Sequence, residues 1–268
     1  MVTAAAALES GRYDRTSRFP DPDRLDLPLT NQTLTNFSKT ACTGGGSIDL
    51  FLALQVSCDT TFAILGLEIP GEVFDMAEKL GFNDRIEFDI AAEASNFPDI
   101  PDDSEPLRAY AGIGQGDVSA TPLQMAIVAA TVANEGQVPR VRLVKELIDA
   151  SGGITESFAP ESLGEAFSAS TAQTLTEMMV AVVNAGTGTA AQMEGVEVAG
   201  KTGTAQTGVE GENPHTWFIA FAPAQNPKIA VAVIVENGGS FGSEATGGAV
   251  AAPVAKAVME ADRRIRGW

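Results

Sequence analysis

Lys201-Thr202-Gly203-Thr204 is the segment of this sequence whose residue types could most directly do chemistry. On an extended strand it would present a cation, two hydroxyl groups and, at the glycine, a backbone open to close approach. An edge strand of this kind can accept an extended peptide as a neighbour. The same residues also fit an ordinary edge strand whose exposed lysine prevents aggregation. Taken alone, the segment favours this structural interpretation.

Two other segments carry polar groups at suggestive positions. Ser57-Cys58-Asp59 stands between two predicted helices, where Ser or Asp is most often an ordinary helix cap. The segment Gly114-Gln115-Gly116 precedes Thr121-Pro122-Leu123-Gln124, a capping box with proline at the first helical position. His215 could suggest a Ser-His-Asp triad, but a lone histidine before a strand is more often a structural hydrogen-bonding group. We assign it no catalytic role.

Composition excludes several classes of function. The 268 residues include 17 Lys+Arg and 35 Asp+Glu, a net charge of −18, which argues against nucleic acid or an anionic membrane surface as a partner. The longest apolar run, Ile229–Val235, is far too short to span a membrane, and no targeting signal stands at the start. Two cysteines and one histidine lack metal-ligand spacing, so we expect no metal and no cofactor.

The elements that position these residues are predicted as helices first and strands afterwards, an α+β arrangement. Loops are expected over residues 12–46 and 95–118, which are rich in Pro, Gly or Asp. Helices are expected over residues 2–8, 47–55, from 59 onward, 71–80, 121–134, 170–186 and from 248 to about 265. Strands are expected over residues 196–205, 217–222 and Ile229–Val235.

Together these segments resemble the transpeptidase domain of class B penicillin-binding proteins of the actinobacterial type. The segments 114–126, Ala199–Ala205 and 217–223 stand in the family's order and at about its spacing, and residues 2–11 match the helix that carries the family's nucleophile. The resemblance covers residues 1–268 as one domain. It implies the acyl-serine transferase fold, a helical subdomain plus an antiparallel sheet, and a D,D-transpeptidase that crosslinks peptidoglycan stem peptides and is acylated by β-lactams.

The sequence departs from this family at the nucleophile, which relatives supply through Ser-x-x-Lys on a helix. No lysine here has Ser or Thr three positions earlier, the residues at that offset being Asn36, Met76, Arg142, Val198, Gln225 and Pro253. We therefore expect a domain truncated at or just after the motif, without the first two strands of the sheet and inactive as it stands. A non-catalytic scaffold or binding module is the second interpretation, and a related serine β-lactamase or D,D-carboxypeptidase the third.

The resemblance also implies roles for the remaining motifs. Ser57 would relay a proton toward the leaving group, and Asp59 occupies the place of an asparagine that donates to the substrate carbonyl. An ionised carboxylate only accepts hydrogen bonds, so Asp59 should be unable to make that donation. Lys201 would hold the proton network and supply positive potential, completing the expected catalytic set. The expected substrate-binding residues are Thr202, Gly203 and Thr204, with the threonine hydroxyls on the terminal carboxylate.

The family resemblance places the domain on the extracytoplasmic face of the cell membrane, where disulfides persist. Cys42 and Cys58 are then one bridge or two thiols, and we favour the bridge on condition that the protein is exported. The expected partners are a stem peptide or β-lactam and cell-division or elongation proteins, with membrane contact only through an anchor absent from this chain. Since two strands are expected to be missing, Ile229–Val235 should form a sheet edge.

Overall fold

The computed structural model describes residues 1–101, 103–209 and 211–268. Within them the architecture is α+β, with most helices in the first two thirds and the longest strands in the last third. The helices are α1 (Val2–Glu9), α2 (Leu50–Val56), α3 (Asp59–Glu68), α4 (Pro70–Lys79), α5 (Glu105–Gly112), α6 (Pro122–Ala133), α7 (Ala169–Ala185) and α8 (Ala252–Arg266). The strands are β1 (Arg18–Pro20), β2 (Arg24–Asp26), β3 (Thr33–Thr35), β4 (Ser47–Asp49), β5 (Gln137–Pro139), β6 (Glu146–Ile148), β7 (Ile154–Ser157), β8 (Ser162–Glu165), β9 (Ala199–Ala205), β10 (His215–Ala222) and β11 (Ile229–Val235).

The principal sheet is antiparallel, with the order β11-β10-β9 among the described residues. Its two faces are buried in different clusters, because successive strand residues point to opposite sides. On β10, Ile219 and Phe221 join the main core, whereas Phe218 and Ala220 join a second cluster with α8. Helices therefore cover the sheet on both faces, and β9 and β11 are its two edges.

The helix α1 lies at the centre of the main core. Its Ala4–Ala7 run is at most 2% exposed, so the small side chains let neighbouring helices approach closely. A second close approach joins α3 to α5, where a Cβ on Gly66 would lie only 2.4 Å from the Arg108 carbonyl oxygen and 2.9 Å from the Gly112 Cα. Thr3 Oγ1 donates to the Gly112 carbonyl at 2.6 Å and links α1 to the same crossing.

Several expected boundaries were wrong, each for a local reason. The expected loop 95–118 contains α5, which has Pro106 in its first turn, a position at which proline favours helix formation. The helix expected from residue 47 begins only at Leu50, because Ser47 pairs with Pro20 in the β1–β4 ladder. The cap is Asp49, whose carboxylate accepts from the Leu52 N–H at 2.8 Å.

Other differences concern short strands and helix starts. The expected loop 12–46 contains β1, β2 and β3, and the small pairs β5–β8 and β6–β7 were not expected at all. The helix α7 begins at Ala169 with Ser168 as its N-cap, one residue before the expected start at residue 170. The Thr121 cap of α6, the strand β11 and the end of β10 are confirmed. Among the described residues, no helix combines the length and apolarity required to cross a bilayer.

Candidate active site

Ser57 forms the turn between α2 and α3. It is in the left-handed region, with φ 59° and ψ 56°, which is uncommon for a residue other than glycine. The turn ends α2, with the Ser57 N–H donating to the Leu54 carbonyl at 3.2 Å and the Cys58 N–H to the Ala53 carbonyl at 2.8 Å. Backbone strain of this kind concentrates at functional sites, since the surrounding structure must maintain it.

The disulfide Cys42–Cys58 holds the residue after Ser57, with the two sulfurs 2.11 Å apart. The buried Asp21 fixes the other end of the bridge, because its carboxylate accepts from the Cys42 and Thr43 N–H groups at 2.7 and 2.8 Å. Burial acts to raise the pKa of Asp21, but hydrogen bonds led by Thr43 hold it below its usual value. The bridge thus attaches the loop around Cys42 to the Ser57 turn.

Lys201 reaches the same turn from β9. Its position is set by the ladder, in which Lys201 pairs with Ile219 of β10. Its ammonium donates to Ser57 Oγ at 2.7 Å and to the Thr202 carbonyl at 2.8 Å. Burial lowers the pKa of Lys201 to about 8, and the negative charge of Asp59 opposes this effect. An amine of this pKa, hydrogen-bonded to a hydroxyl, can exchange protons near neutral pH.

Asp59 is the first residue of α3 and the second titratable group at this turn. Burial raises the pKa of its carboxyl, whereas the charge of Lys201 and a hydrogen bond from the Phe37 N–H act to lower it.

The remaining strand residues carry hydroxyls along the edge. Thr202 Oγ1 lies 2.6 Å from Thr187 Oγ1. The Thr204 carbonyl accepts from Gln115 Nε2 at 3.3 Å, and the Thr204 hydroxyl accepts from the Gly247 N–H at 3.4 Å. The edge is therefore held from three directions, by the loop after α7, the loop after α5 and the segment before α8.

Gly203 stands between the two threonines and pairs with Trp217 of β10. Gly247 packs directly on this pair, because a Cβ there would lie 2.3 Å from the Trp217 carbonyl oxygen and 2.6 Å from the Gly203 carbonyl oxygen. The backbone at Gly203 is thus fixed by close contact on the side of Gly247.

The structure brings four of the expected residues together at the Ser57 turn. Ser57, Lys201 and Thr202 are joined by hydrogen bonds, while Asp59 acts on Lys201 through its charge. His215 takes no part in these hydrogen bonds; its Nδ1 accepts from the Asn237 N–H at 3.0 Å.

Sequence reasoning missed the supporting residues Thr187, Gln115 and Gly247. Gln115 stood inside a recognised motif, but nothing indicated that its side chain reaches β9. Thr187 carried only the weak signal of two flanking glycines.

Comparison with known proteins identifies the family. Residues 1–260 match the penicillin binding protein transpeptidase domain. The chain is 41% identical over 270 residues to the peptidoglycan D,D-transpeptidase PbpA of Mycolicibacterium smegmatis, covering 98% of this chain and 54% of that protein. It is 37% identical over 265 residues to PbpA of Mycobacterium tuberculosis, covering 97% of this chain and 53% of that protein.

Solved structures agree with this match. The ceftriaxone acyl-enzyme complex of penicillin-binding protein A from M. tuberculosis superimposes with a TM-score of 0.92 at 36% identity, over 97% of this chain and 58% of that one. The chain spans about half the length of the curated relatives it matches. Because sequence and fold agree over nearly all of its residues, this chain belongs to the penicillin binding protein transpeptidase domain family.

Proposed function

We propose that this chain supplies the substrate-binding and proton-transfer part of a class B peptidoglycan D,D-transpeptidase of the actinobacterial type. The observation that carries the proposal is the Lys201–Ser57 hydrogen bond of 2.7 Å beside the open edge of β9. Acyl transfer requires a group that moves a proton to the leaving amine and a surface that holds an extended peptide. The Lys201–Ser57 pair is suited to the first task and β9 to the second.

Each residue then has a role in that reaction. Ser57 Oγ, already accepting from Lys201, passes a proton toward the leaving nitrogen, and the lysine replaces that proton. A stem peptide lies along β9, with its terminal carboxylate on the Thr202 and Thr204 hydroxyls. The Gly203 backbone lets the peptide approach closely, since glycine has no side chain.

The nucleophile is not among the 268 residues in this proposal, because no lysine has Ser or Thr three positions before it. Residues 1–268 then form one transpeptidase domain whose Ser-x-x-Lys segment, and the first two strands of its sheet, belong to sequence preceding Met1. Without that segment, the chain binds peptide ends but does not form an acyl-enzyme. The same absence supports the second candidate function, a non-catalytic scaffold that uses β9 to bind a protein partner.

Two measurements test the proposal. The 268-residue chain is incubated for a long period with benzylpenicillin, and its intact mass should show no adduct. A stoichiometric mass increase would contradict the proposal that the nucleophile lies outside residues 1–268. NMR titration with N-acetyl-D-alanyl-D-alanine should shift amide signals along β9. Absence of any shift at millimolar peptide would exclude the substrate-binding role and leave the scaffold.

The gene upstream of Met1 separates the two candidates further. In-frame codons for Ser-x-x-Lys would support the transpeptidase, whereas their absence would support the scaffold.

By family membership we also propose an extracytoplasmic location, β-lactams as ligands of the whole protein, and cell-division or elongation proteins as its partners.

A further inference from the structure

The backbone carbonyl groups of Thr202 and Thr204 face the open edge of β9. Gly203, which stands between them, lies opposite Trp217 of β10. A Cβ on Gly247 would lie 2.3 Å from the Trp217 carbonyl oxygen and 2.6 Å from that of Gly203, so these two oxygens lie close together between the strands. In an antiparallel pair, successive residues of a strand direct their N–H and C=O groups to opposite sides. Those of Thr202 and Thr204 therefore point away from β10.

Both of these outward carbonyls already accept a hydrogen bond from a side chain of the same protein. The Thr202 carbonyl accepts from the Lys201 ammonium at 2.8 Å. The Thr204 carbonyl accepts from Gln115 Nε2 at 3.3 Å, although the two residues are 89 positions apart in the sequence. A peptide that lies along the edge uses such carbonyls as acceptors for its own N–H groups. At Thr204, the ligand N–H thus meets an acceptor that Gln115 occupies.

Gln115 can release this carbonyl through rotation of its side chain alone. Its backbone is fixed at the end of α5, where its N–H donates to the Tyr110 carbonyl at 2.9 Å. The glycines on either side, Gly114 and Gly116, have φ of 75° and 70°, which glycine adopts without strain. Gln115 is half-buried, so water can replace β9 as the partner of its amide.

We infer that Gln115 occupies the position of a ligand N–H at Thr204, so that peptide binding exchanges one hydrogen bond for another and Gln115 determines how strongly the groove distinguishes a peptide from an ester. With Gln115 in place, a ligand that lacks this N–H leaves the Thr204 carbonyl paired and loses little affinity. Without Gln115, the same ligand leaves that carbonyl without a donor, which costs free energy in a partly buried site. The inference rests on the proposed function and deepens it by naming a residue that sets specificity.

The experiment uses three probes of equal charge on the 268-residue chain. N-acetyl-D-alanyl-D-alanine has two amide N–H groups. N-acetyl-D-alanyl-D-lactate replaces the second N–H by an ester oxygen, and O-acetyl-D-lactyl-D-alanine replaces the first. Dissociation constants are measured by NMR titration for wild type, Gln115→Met and Gln173→Met. Methionine has nearly the length of glutamine but no N–H donor, and Gln173, an exposed residue of α7, provides the matched control.

One of the two esters should bind wild type nearly as well as the peptide does, because Gln115 keeps the Thr204 carbonyl paired. The same ester should bind Gln115→Met about fivefold more weakly than the peptide does, which corresponds to one neutral hydrogen bond. The other ester should change the affinity equally in both proteins. Gln173→Met should follow wild type with all three probes.

The side-chain amide of Gln115 provides a second measurement, which requires no variant. Its NMR signals, assigned through its own backbone signals, should shift toward those of a solvated amide when wild type is titrated with the peptide. They should stay in place with the ester that lacks the N–H facing Thr204.

Peptide-to-ester affinity ratios that are equal in wild type and Gln115→Met for both esters would overturn the inference. Gln115 amide signals that bound peptide leaves unchanged would also overturn it, since the carbonyl would then accept both donors at once. In either case, binding of the peptide leaves the proposed function standing. If no probe binds any of the three proteins, the proposed function fails and the inference fails with it.

Discussion

The ammonium of Lys201 donates to Ser57 Oγ at 2.7 Å across a separation of 144 positions in the sequence. Two local features produce this contact. Ser57 adopts a left-handed backbone that ends α2, and the β9–β10 register places Lys201 opposite Ile219. This hydrogen-bonded pair thus depends on one turn and one strand register, and neither carries an unambiguous sequence signal.

The first prediction concerns the stability of the Lys201 site as a function of pH. Because burial lowers the pKa of Lys201 from 10.5 to about 8, the folded chain binds fewer protons at this position than the unfolded chain between those values, and stability must rise with pH there. At about 1.4 kcal/mol per pH unit, the full effect is roughly 3 kcal/mol.

Urea unfolding of wild type and Lys201→Met at pH 7.5 and 10.5 measures this effect. The difference in unfolding free energy should move in favour of wild type by up to about 3 kcal/mol, while titrating groups distant from Lys201 cancel. A difference that does not change with pH would contradict a lysine with a lowered pKa.

A second prediction concerns the disulfide. The Cys42–Cys58 bridge spans a sequence separation of 16, and in the chain-entropy model a loop of this size is worth about 3 kcal/mol. The double variant Cys42→Ser with Cys58→Ser should lose 2–5 kcal/mol, as is typical for native disulfides. Chemical denaturation of wild type and the double variant measures this difference in unfolding free energy. A loss of stability below about 1 kcal/mol would contradict the chain-entropy model for this bridge.

Strong local signals made part of the fold predictable. The cap at Thr121 could be identified from its capping box, and the strands β10 and β11 from short apolar runs separated by turn residues. The helix α5 was missed because its surroundings are rich in Pro and Asp, residues that also favour loops. The strands β1 to β4 were missed because three residues are too few to show a period.

The third prediction tests the crossing of α3 and α5. In Gly66→Ala the new methyl group would meet the backbone at Arg108 and Gly112, which cannot move aside without separating the helices. We expect a loss of about 1–3 kcal/mol in unfolding free energy, as for other overpacked cores. Gly71→Ala in α4 is the matched control, since nothing lies within 4 Å of its added methyl group.

The control should be neutral or gain up to about 1 kcal/mol, because alanine favours helix more than glycine does. Equal stabilities for the two variants would show that the α3–α5 contact relaxes freely.

The site was predictable at its motifs but not at its supports. Lys201, Thr202 and Ser57 stand in recognisable triplets, whereas Thr187 and Gln115 reach β9 from loops whose course depends on tertiary packing. Asp59 could be located from sequence, but its altered pKa follows from burial beside Lys201, which only the fold produces.

The fourth prediction concerns Thr187 as a positioning residue. Its hydroxyl lies 2.6 Å from that of Thr202, so Thr187→Val should leave the Thr202 hydroxyl free to rotate and weaken N-acetyl-D-alanyl-D-alanine binding. One neutral hydrogen bond is worth about 1 kcal/mol, or roughly fivefold in affinity. Thr187→Ser retains the hydroxyl and should restore binding in the same NMR titration. Failure of serine to restore it would assign the effect to packing instead.

The last prediction concerns the edge at β11. Among the described residues this strand pairs only with β10, so one side of its backbone is open, although α6 and α8 cover its faces. The sequence Ile-Ala-Val-Ala-Val-Ile-Val contains neither charge nor proline, two features that normally protect an edge. We therefore expect the 268-residue chain to self-associate through Ile229–Val235. Its net charge of −18 opposes association, so added salt should strengthen association by screening this charge.

Light scattering over a dilution series at low and high salt measures the mass, and hydrogen exchange measures protection of the β11 amides in the associated form. A monomer at all salt concentrations, with rapidly exchanging β11 amides, would show that this edge does not recruit another chain.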